Sequence, residues 1–342
     1  MSKVLVAGGG LAGVAAANEL AAYGRRAVII EKTGALGGKV RGYGCKATKL
    51  CSNCGVCLTK SLWDSVENND LIEIRTDTEL LDLSGSKGRY TVAVRKKGEV
   101  EYIDDISDVI VATGFKGHDI GEYDGFVEIS GAAGGGGGGK GSVIFGSDIE
   151  KVFKYRGEKG PFETEPKSVA FIQCYGSRDK KESAMYCSRV CCAYSSRAAK
   201  VIKEFYPDCA VTFFYMEMQQ VKKSGYFDEL KEFGISFIKC RPVKVEAGDP
   251  AVVYYDGPET GKREEMQFDL VVLSDGIRPQ DDAGRVAEIC GLGQDENGFL
   301  DYVKGIGDAD ETGIYIAGCA GGPAKIDEVY SQSGAIARRI CR

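Results

Sequence analysis

Four cysteines stand close together just past the middle of the chain, and their spacing suits a metal centre. They are Cys174, Cys187, Cys191 and Cys192, which form the pattern C-x12-C-x3-C-C. Four cysteine thiolates can hold one [4Fe–4S] cluster. They can also hold a structural zinc ion, although adjacent cysteines are unusual in zinc knuckles. Four buried thiols without a metal are a third interpretation.

The elements around these cysteines are those of a nucleotide-binding βαβ unit. Residues 168–174 (SVAFIQC) predict a buried strand, residues 193–206 (AYSSRAAKVIKEFY) a helix with one apolar face, and residues 210–218 (AVTFFYMEM) the next strand. The turn between such a strand and helix normally carries glycines that hold a pyrophosphate. Here it carries cysteines. The helix N-terminus would favour an anionic cluster, and Arg178 or Arg189 could add positive charge nearby.

The N-terminal segment carries the glycine fingerprint itself. Residues 3–7 (KVLVA) predict a strand, and Gly8-x-Gly10-x-x-Gly13 leads from it into a helix. Gly8 permits a tight turn, Gly10 lets the backbone approach a pyrophosphate, and Gly13 lets the helix pack against the strand. Glu31 ends the next strand, where it can accept hydrogen bonds from ribose hydroxyls. These features predict a dinucleotide site.

The segments beyond Glu31 favour FAD over NAD. Leu36-Gly37-Gly38 is typical of flavoproteins with two dinucleotide-binding domains, and residues 109–115 (VIVATGF) and 314–326 (IYIAGCAGGPAKI) resemble their second and third signatures. Those proteins usually have aspartate where this chain has Cys319. The residues predicted to contact FAD are Gly8, Gly10, Leu11, Ala12, Gly13, Glu31, Lys32, Gly37, Gly38, Lys39, Leu80, Ala112, Thr113, Gly114, Gly318, Cys319, Lys325 and Ile326.

A second group of cysteines follows the Gly37-Gly38 segment. It contains Cys45, Cys51, Cys54 and Cys57. One interpretation is a second Fe–S cluster, with Cys45 as the fourth ligand beside a C-x2-C-x2-C run. Others are a redox-active thiol pair facing the flavin or a partner, inert thiols, and a redox-silent zinc site.

Three stretches of the sequence resemble the A subunit of heterodisulfide reductase. They are FIQCYGSRD, YCSRVCCAY and GGPAKIDEVYSQSGAIA. The resemblance implies that the first four cysteines ligate a [4Fe–4S] cluster beside an FAD domain. The chain looks like the short form of sulfur-oxidiser complexes, since the C-x2-C-x2-C-x3-C-P runs of methanogen forms are missing. It further implies B- and C-like Fe–S partner subunits and a homodimer.

The order of the predicted elements indicates an α/β fold that resembles thioredoxin reductase. Residues 1–130 and 300–342 are predicted to form a doubly wound FAD-binding domain, and residues 166–299 an inserted dinucleotide-binding-like unit that carries the Fe–S site. Residues 131–165 are predicted to be a linker or loop. The run GAAGGGGGGKGS within this linker is too rich in glycine to pack a core.

The composition excludes several classes of function. The 342 residues carry a net charge of −6 without a block of Lys or Arg, which argues against nucleic acid and anionic membranes as partners. No apolar run approaches the roughly 18 residues of a membrane span. Thirteen cysteines without a signal-peptide pattern predict a cytoplasmic protein that uses cysteine for metal binding or redox work.

We therefore expect an electron-transfer flavoprotein subunit that passes electrons between FAD and a [4Fe–4S] cluster in sulfur or thiol/disulfide metabolism. The alternative is an NAD(P)H-dependent reductase like thioredoxin reductase. That enzyme needs a second glycine fingerprint and a C-x2-C pair in the inserted domain, and the sequence has neither there, although Cys51 and Cys54 form a displaced pair. A scaffold that keeps FAD for structure is a further, non-enzymatic possibility.

Overall fold

The chain divides into two compact units. A computed structural model describes residues 2–118, 126–129, 142–155, 157, 160–219, 226–303 and 309–342. Unit 1 comprises Met1–Gly42, Gly55–Lys116 and Ile277–Arg342, and unit 2 comprises Tyr43–Cys54 and Gly117–Gly276. Most of unit 2 is thus inserted between two parts of unit 1, as a nested organisation requires. Among the described residues, no helix is both long and apolar enough to cross a bilayer.

The secondary structure alternates strands and helices in the manner of doubly wound domains. In chain order, the strands are β1 (Lys3–Ala7), β2 (Arg26–Ile30), β3 (Ile72–Arg75), β4 (Thr78–Ser86), β5 (Arg89–Lys96), β6 (Glu99–Val111), β7 (Val127–Ile129), β8 (Val143–Phe145), β9 (Ser168–Tyr175), β10 (Ala210–Phe214), β11 (Ile235–Ile238), β12 (Lys244–Ala247), β13 (Ala251–Asp256), β14 (Arg263–Phe268), β15 (Leu270–Asp275), β16 (Gly293–Gln294), β17 (Leu300–Asp301) and β18 (Ile314–Ile316). The helices are α1 (Leu11–Ala22), α2 (Val56–Glu67), α3 (Gly146–Val152), α4 (Cys191–Phe205), α5 (Tyr226–Glu232), α6 (Ala283–Cys290), α7 (Ala309–Thr312) and α8 (Ile326–Ile340).

Unit 1 is built on a sheet in which β6 has two kinds of partner. The strand order is β3-β2-β1-β6-β5-β4, and β18 also pairs with β6. The C-terminal part of β6 is parallel to β1 and β18, whereas its N-terminal part is antiparallel to β5. In register, Ala7 lies beside Ile30 and Val111, and Ile316 also lies beside Val111. The carboxyl ends of these parallel strands therefore meet at one edge, where ligands of open α/β sheets bind.

Residues 277–299 belong to unit 1, whereas the sequence-based boundary places them in the inserted unit. The difference arises because α6 is amphipathic and its apolar face is buried in the core of unit 1. Ala283, Val286 and Cys290 of α6 belong to the same buried cluster as Leu80 and Val94 from the β4–β5 hairpin. Sequence order gives no sign of this packing, because the partners of α6 lie about 200 residues earlier in the chain.

Unit 2 contains two sheets. Its five-stranded parallel sheet has the order β11-β10-β9-β15-β8, and a four-stranded sheet has the order β14-β13-β12-β7. Ile172 in β9 lies beside Phe214 in β10 and Leu273 in β15. Cys174 consequently lies at the carboxyl edge of the sheet, in the position where nucleotides bind in doubly wound folds. The predicted strand at 210–218 ends at Phe214, and residues 215–219 turn along this edge.

Tyr43–Cys54 belongs to unit 2 because a buried ion pair holds it there. The Lys46 ammonium pairs with the Glu150 carboxylate of α3, and both side chains are almost fully buried. The Gly44 N–H donates to the Glu150 carbonyl at 2.9 Å. A Cβ on Gly44 would lie only 2.2 Å from the Phe153 carbonyl carbon, so the backbone approach requires glycine. Of the glycine-rich run, residues 131–141 lie outside the described residues.

We expect Lys46→Met to lower the free energy of unfolding by about 3–5 kcal/mol, because it leaves the buried Glu150 carboxylate without its cation. Burial raises the pKa of Glu150, and Lys46 opposes this shift. Without Lys46 the folded-state pKa rises further, so the penalty should shrink as the pH falls from about 8 to about 5 and the carboxyl gains a proton. Urea unfolding followed by circular dichroism measures both effects.

The matched control is Arg263→Met, which removes an exposed ion pair with Asp256 in the same unit. Its cost should be below about 1 kcal/mol and nearly independent of pH over the same range. If the two variants lost equal free energy of unfolding, the buried Lys46–Glu150 pair would not have the stabilising role assigned to it.

Candidate functional site

The glycine turn after β1 has the close backbone approaches expected of a dinucleotide fingerprint. Gly8 has φ +115°, and a Cβ there would lie 2.3 Å from the Ala112 carbonyl oxygen. A Cβ on Gly13 would lie 1.9 Å from the Gly8 carbonyl oxygen, so α1 packs directly on the turn. A Cβ on Gly10 would meet no atom within 4 Å. Gly10 therefore faces open space at the N-terminus of α1, which has no side-chain cap and no acidic residue in its first turn.

Glu31 is buried and holds the turn in place. Its Oε2 accepts from the Gly9 N–H at 2.8 Å, and its Oε1 accepts from the Thr33 N–H at 2.8 Å and the Thr33 hydroxyl at 2.7 Å. The sequence predicts Glu31 as a ribose ligand. The structure adds that Glu31 fixes the backbone of the turn, and a carboxylate retains further lone pairs for a ligand.

Gly37 and Gly38 pack against the same turn. The Gly37 N–H donates to the Gly9 carbonyl at 2.7 Å, and a Cβ on Gly38 would lie 3.1 Å from the Gly10 Cα. Both glycines have positive φ, +113° and +53°. Lys39 lies over the Phe115 ring, with its Nζ 5.4 Å from the ring centroid. Of the other predicted contacts in this part of unit 1, Leu11 and Ala12 open α1, and Lys32 pairs with Asp282 at 3.5 Å.

The second and third signatures also lie at this edge, directly after β6 and β18. Gly114 has φ +79° and open space at its Cβ position. A Cβ on Gly318 would lie 2.7 Å from the Ala12 Cβ, so the third signature packs on α1. Cys319 is buried and its thiol donates to the Ala324 carbonyl at 3.6 Å. Burial raises the pKa of Cys319 to about 11.

The remaining predicted contacts divide between the edge and the core. Ala112 and Thr113 continue from β6, and the Thr113 carbonyl accepts from the Gln280 side chain at 3.1 Å. Lys325 caps α8, where its N–H donates to the Glu328 carboxylate at 2.9 Å, and Ile326 begins the helix. Leu80 is different, because its side chain is buried in the core of unit 1.

These features fit the binding of FAD by unit 1. The uncapped N-terminus of α1 and the open space at Gly10 suit a pyrophosphate, because backbone N–H groups there favour an anion. Apart from Leu80, the predicted contacts lie in four segments that follow the carboxyl ends of the parallel strands of the unit 1 sheet. The chain thus supplies a cradle at the place where doubly wound folds bind dinucleotides.

In unit 2, all four cysteines of the first group line one cavity of about 530 Å³. Cys174 comes from the end of β9 and has φ +62°, which is uncommon for a residue other than glycine. Cys191 and Cys192 open α4. Cys187 is brought back toward Cys174 by a short hairpin, in which the Arg178 N–H donates to the Tyr186 carbonyl at 3.0 Å.

The thiols of this cavity are poorly solvated. Cys174, Cys191 and Cys192 are each at most 5% exposed, whereas Cys187 is partly exposed. Burial raises the pKa of Cys174, raises that of Cys192 to about 11, and raises that of Cys191 still more strongly. The charges of the neighbouring cysteines add to the shift at Cys191. The three buried thiols would therefore need a cation nearby to become thiolates together.

Positive groups and hydrogen-bond donors surround the thiols. Arg178, Arg189 and Lys239 line the cavity with the cysteines. The Arg189 N–H donates to the Cys187 sulfur at 3.3 Å, and the Gln219 amide approaches the same sulfur at 3.9 Å. Within the part of the chain that the structure describes, no three His, Cys, Asp or Glu side chains are already gathered closely enough to hold an ion. The donor set fits a [4Fe–4S] cluster by its chemistry and shared cavity.

The segment after β10 is the part of this site that the sequence reasoning missed. Tyr215–Gln219 forms one wall of the cavity. The sequence could have predicted this wall, because neighbouring parallel strands end at the same edge of a sheet. A cavity wall from the end of β10 follows once β10 is placed beside β9.

The second group of cysteines is more accessible. Cys45, Cys51 and Cys57 are exposed and Cys54 is partly buried. The Ala47 N–H donates to the Cys45 sulfur and the Asn53 N–H to the Cys51 sulfur, both at 3.4 Å. Each of the thirteen cysteines, all of which lie within the described residues, is a free thiol. The interpretations drawn from the sequence for this group remain predictions.

The comparisons with known proteins agree with the sequence motifs. The A subunit of the ferredoxin:CoB-CoM heterodisulfide reductase of Methanosarcina acetivorans is 27% identical over 449 residues, covering 98% of this chain and 56% of the relative. The chain is therefore similar along almost its whole length to heterodisulfide reductase A subunits. A second such homologue, the A subunit of the H(2):CoB-CoM heterodisulfide,ferredoxin reductase of Methanothermobacter marburgensis, is 27% identical, and the match covers 98% of this chain and 63% of the relative.

The chain spans less than two thirds of the length of these homologues. Residues 2–166 match the family model described as pyridine nucleotide-disulphide oxidoreductase. The family description and the homologues' names are those of oxidoreductases, which confirms the predicted class of enzyme.

Solved structures confirm the predicted fold class. The thioredoxin reductase of T. acidophilum superposes with a TM-score of 0.63 at 18% identity, covering 99% of this chain and 97% of that one. The bacillithiol disulfide reductase of Bacillus cereus superposes with a TM-score of 0.58 at 17% identity, covering 99% and 98%. The chain therefore has the thioredoxin reductase-like fold.

We expect Gly10→Ala to weaken FAD binding by about 1–3 kcal/mol, because the added methyl group occupies the space next to the pyrophosphate. The fold should be unaffected, since nothing lies within 4 Å of that methyl position. Flavin absorbance per chain and the urea unfolding midpoint of the flavin-free protein measure the two properties.

Gly13→Ala is the matched comparison. Its methyl group would collide with the Gly8 carbonyl oxygen, so this variant should lose both FAD and stability. If Gly10→Ala kept full FAD, or lost as much stability as Gly13→Ala, the assignment of Gly10 to the pyrophosphate would be wrong.

Proposed function

We propose that this chain is an electron-transfer flavoprotein subunit with FAD in unit 1 and a [4Fe–4S] cluster at Cys174, Cys187, Cys191 and Cys192 in unit 2. The observation that carries the proposal is the single cavity lined by all four thiols. It lies between β9 and α4, where a nicotinamide coenzyme would bind in the second domain of a reductase.

The β9–α4 turn is poorly suited to a dinucleotide. Between Cys174 and Cys192 the sequence contains one glycine, Gly176, so the fingerprint that lets backbone approach a pyrophosphate is missing. Three of the four thiols are buried. If these thiols bound nothing, their convergence on one cavity would have no explanation. A sulfur-ligated cluster accounts for both features.

The residues of the cavity have separable tasks in this proposal. The four thiolates hold the cluster, and the cations of Arg178, Arg189 and Lys239 offset its negative charge. Arg178 is itself held by Glu217 at 3.2 Å. When bound, FAD exchanges two electrons with its partner whereas an Fe–S cluster carries one at a time. The chain's contribution is to fix the ligands and to keep most of their sulfur atoms away from water.

The homologues support a place in a multi-subunit complex. Their names describe subunits of heterodisulfide reductases. We accordingly propose B- and C-like Fe–S subunits as partners, a homodimeric arrangement of this chain, and a role in sulfur or thiol/disulfide metabolism in the cytoplasm.

We expect anaerobically purified protein to contain about four irons per chain if the first group of cysteines alone binds a cluster, and about eight if the second group binds another. Cys191→Ser should lose the iron of the first site and keep FAD, because the two cofactors are held by different units. Iron, acid-labile sulfide and flavin are quantified on the same sample.

The matched control is Cys341→Ser, which changes a thiol at the end of α8 in unit 1 and should leave iron and FAD unchanged. Wild-type protein that contains zinc or no metal would refute the proposal. Unchanged iron in Cys191→Ser would refute the assignment of ligands.

The structural neighbours favour one second candidate, because they include a thioredoxin reductase and a bacillithiol disulfide reductase of the same fold. We expect NADPH and NADH alone to reduce the bound flavin more slowly than dithionite does by orders of magnitude, since the nicotinamide turn is replaced by cysteines. Anaerobic stopped-flow absorbance measures this. Flavin reduction by NADPH within the dead time, together with iron-free protein, would favour the reductase instead.

A further inference from the structure

Two serines that lie within a few residues of the first group of cysteines have buried hydroxyl groups. Ser177 and Ser196 are both 0% exposed, and neither Oγ has a partner among the residues that the structure describes. Burying a hydroxyl without a hydrogen bond is unfavourable. Two such groups near one proposed site call for an acceptor that the described residues do not supply.

Ser177 lies next to Cys174 across a tight turn. The Ser177 N–H donates to the Cys174 carbonyl at 3.2 Å, which closes a four-residue turn and places the two residues at its ends. Gly276 packs against Ser177, since a Cβ on Gly276 would lie 3.3 Å from the Ser177 Cβ. Ser177 is thereby held within one turn of Cys174, whose side chain lines the cavity.

Ser196 lies one helical turn after Cys192 on α4. Residues four apart on a helix are neighbours on one face, and helical side chains lean toward the N-terminus. The Ser196 side chain therefore leans toward Cys192, which lines the cavity. A helical serine commonly satisfies itself on the carbonyl four residues earlier, but the Ser196 hydroxyl makes no such bond.

The neighbouring serine of α4 is satisfied and gives a contrast. Ser195 is equally buried, and its Oγ lies 2.9 Å from the Ser274 Oγ. Ser274 in turn accepts from the Gln173 side chain at 2.9 Å. Two adjacent serines of α4 therefore differ, because the Ser195 hydroxyl has a hydrogen-bond partner in the protein and the Ser196 hydroxyl has none among the described residues.

We propose that Ser177 and Ser196 donate hydrogen bonds to the sulfur atoms of the cluster held by the four cysteines and so raise its reduction potential. This inference rests on the proposed function, because it needs a cluster in the cavity. Reduction adds one electron to the cluster, and a donor to its sulfurs stabilises the more negative, reduced form more strongly. Hydrogen bonds to the sulfurs are one of the determinants of such potentials.

The test compares Ser177→Ala, Ser196→Ala and the matched control Ser195→Ala in the full chain. Each of the first two should disfavour one-electron reduction by roughly tenfold, which is a downward shift of about 59 mV for a one-electron couple. Ser195→Ala should leave the potential unchanged. Anaerobic redox titration followed by electron paramagnetic resonance gives the potential, and iron content per chain is measured in parallel.

A stability measurement separates tuning from general damage. Ser195→Ala removes a hydrogen bond and should lower the unfolding midpoint of the metal-free protein, whereas Ser196→Ala should not. Ser177→Thr and Ser196→Thr, which keep the hydroxyl, should restore the potential of the wild type.

The possible failures are distinguishable. If the wild type binds no iron, the proposed function fails and this inference fails with it. If iron is present in all variants but the three alanine variants share one potential, the inference is wrong while the proposed function stands. A shift in Ser195→Ala equal to that in Ser196→Ala would also overturn it, since it would indicate a nonspecific effect of cavity formation.

Discussion

The register of parallel strands is the constraint on which both candidate sites depend. In unit 1 it brings the ends of β1, β2, β6 and β18 to one edge, and the segments predicted to contact FAD continue from these ends. In unit 2 it brings the ends of β9, β10 and β15 together, with Cys174 just beyond Ile172. One topological rule therefore explains why residues far apart in sequence converge.

The two units use the same edge for different chemistry. Unit 1 keeps glycines where backbone N–H groups must come close to an anion. At the corresponding edge of unit 2, side chains rather than backbone N–H groups line the space. They include the four cysteines together with arginine and lysine. Burial makes the thiols of Cys174, Cys191 and Cys192 hard to ionise, so their anionic forms require a positive partner. The glycine backbone of unit 1 is neutral and needs no such compensation.

The local sequence pattern predicted the helices and strands better than it predicted which unit each of them packs in. The helix predicted at 193–206 and the strand predicted at 3–7 agree with α4 and β1, because the periodicity of apolar residues is a local property of the sequence. The assignment of 277–299 to the inserted unit differs from the structure, because the apolar face of α6 meets partners from the β4–β5 hairpin. The segment 43–54 joins unit 2 through the Lys46–Glu150 pair, which also spans a long sequence separation. Around the cysteines, residue type and spacing singled out the four side chains that share the cavity. The wall after β10 and the two unsatisfied serines emerge only from the three-dimensional packing.

Strand β6 pairs with strands in both parts of the unit 1 sheet, so the two parts are expected to unfold together. Its first half completes the β4–β5–β6 meander, and its second half is a central parallel strand that ends beside Ala112 and Thr113. Neither half can fray without disturbing the other, so the hairpin and the carboxyl end of the parallel strands form one unit of local unfolding. Amide exchange at the Val111 end of β6 should therefore report on damage to the hairpin, although the hairpin contributes none of the predicted FAD contacts except Leu80.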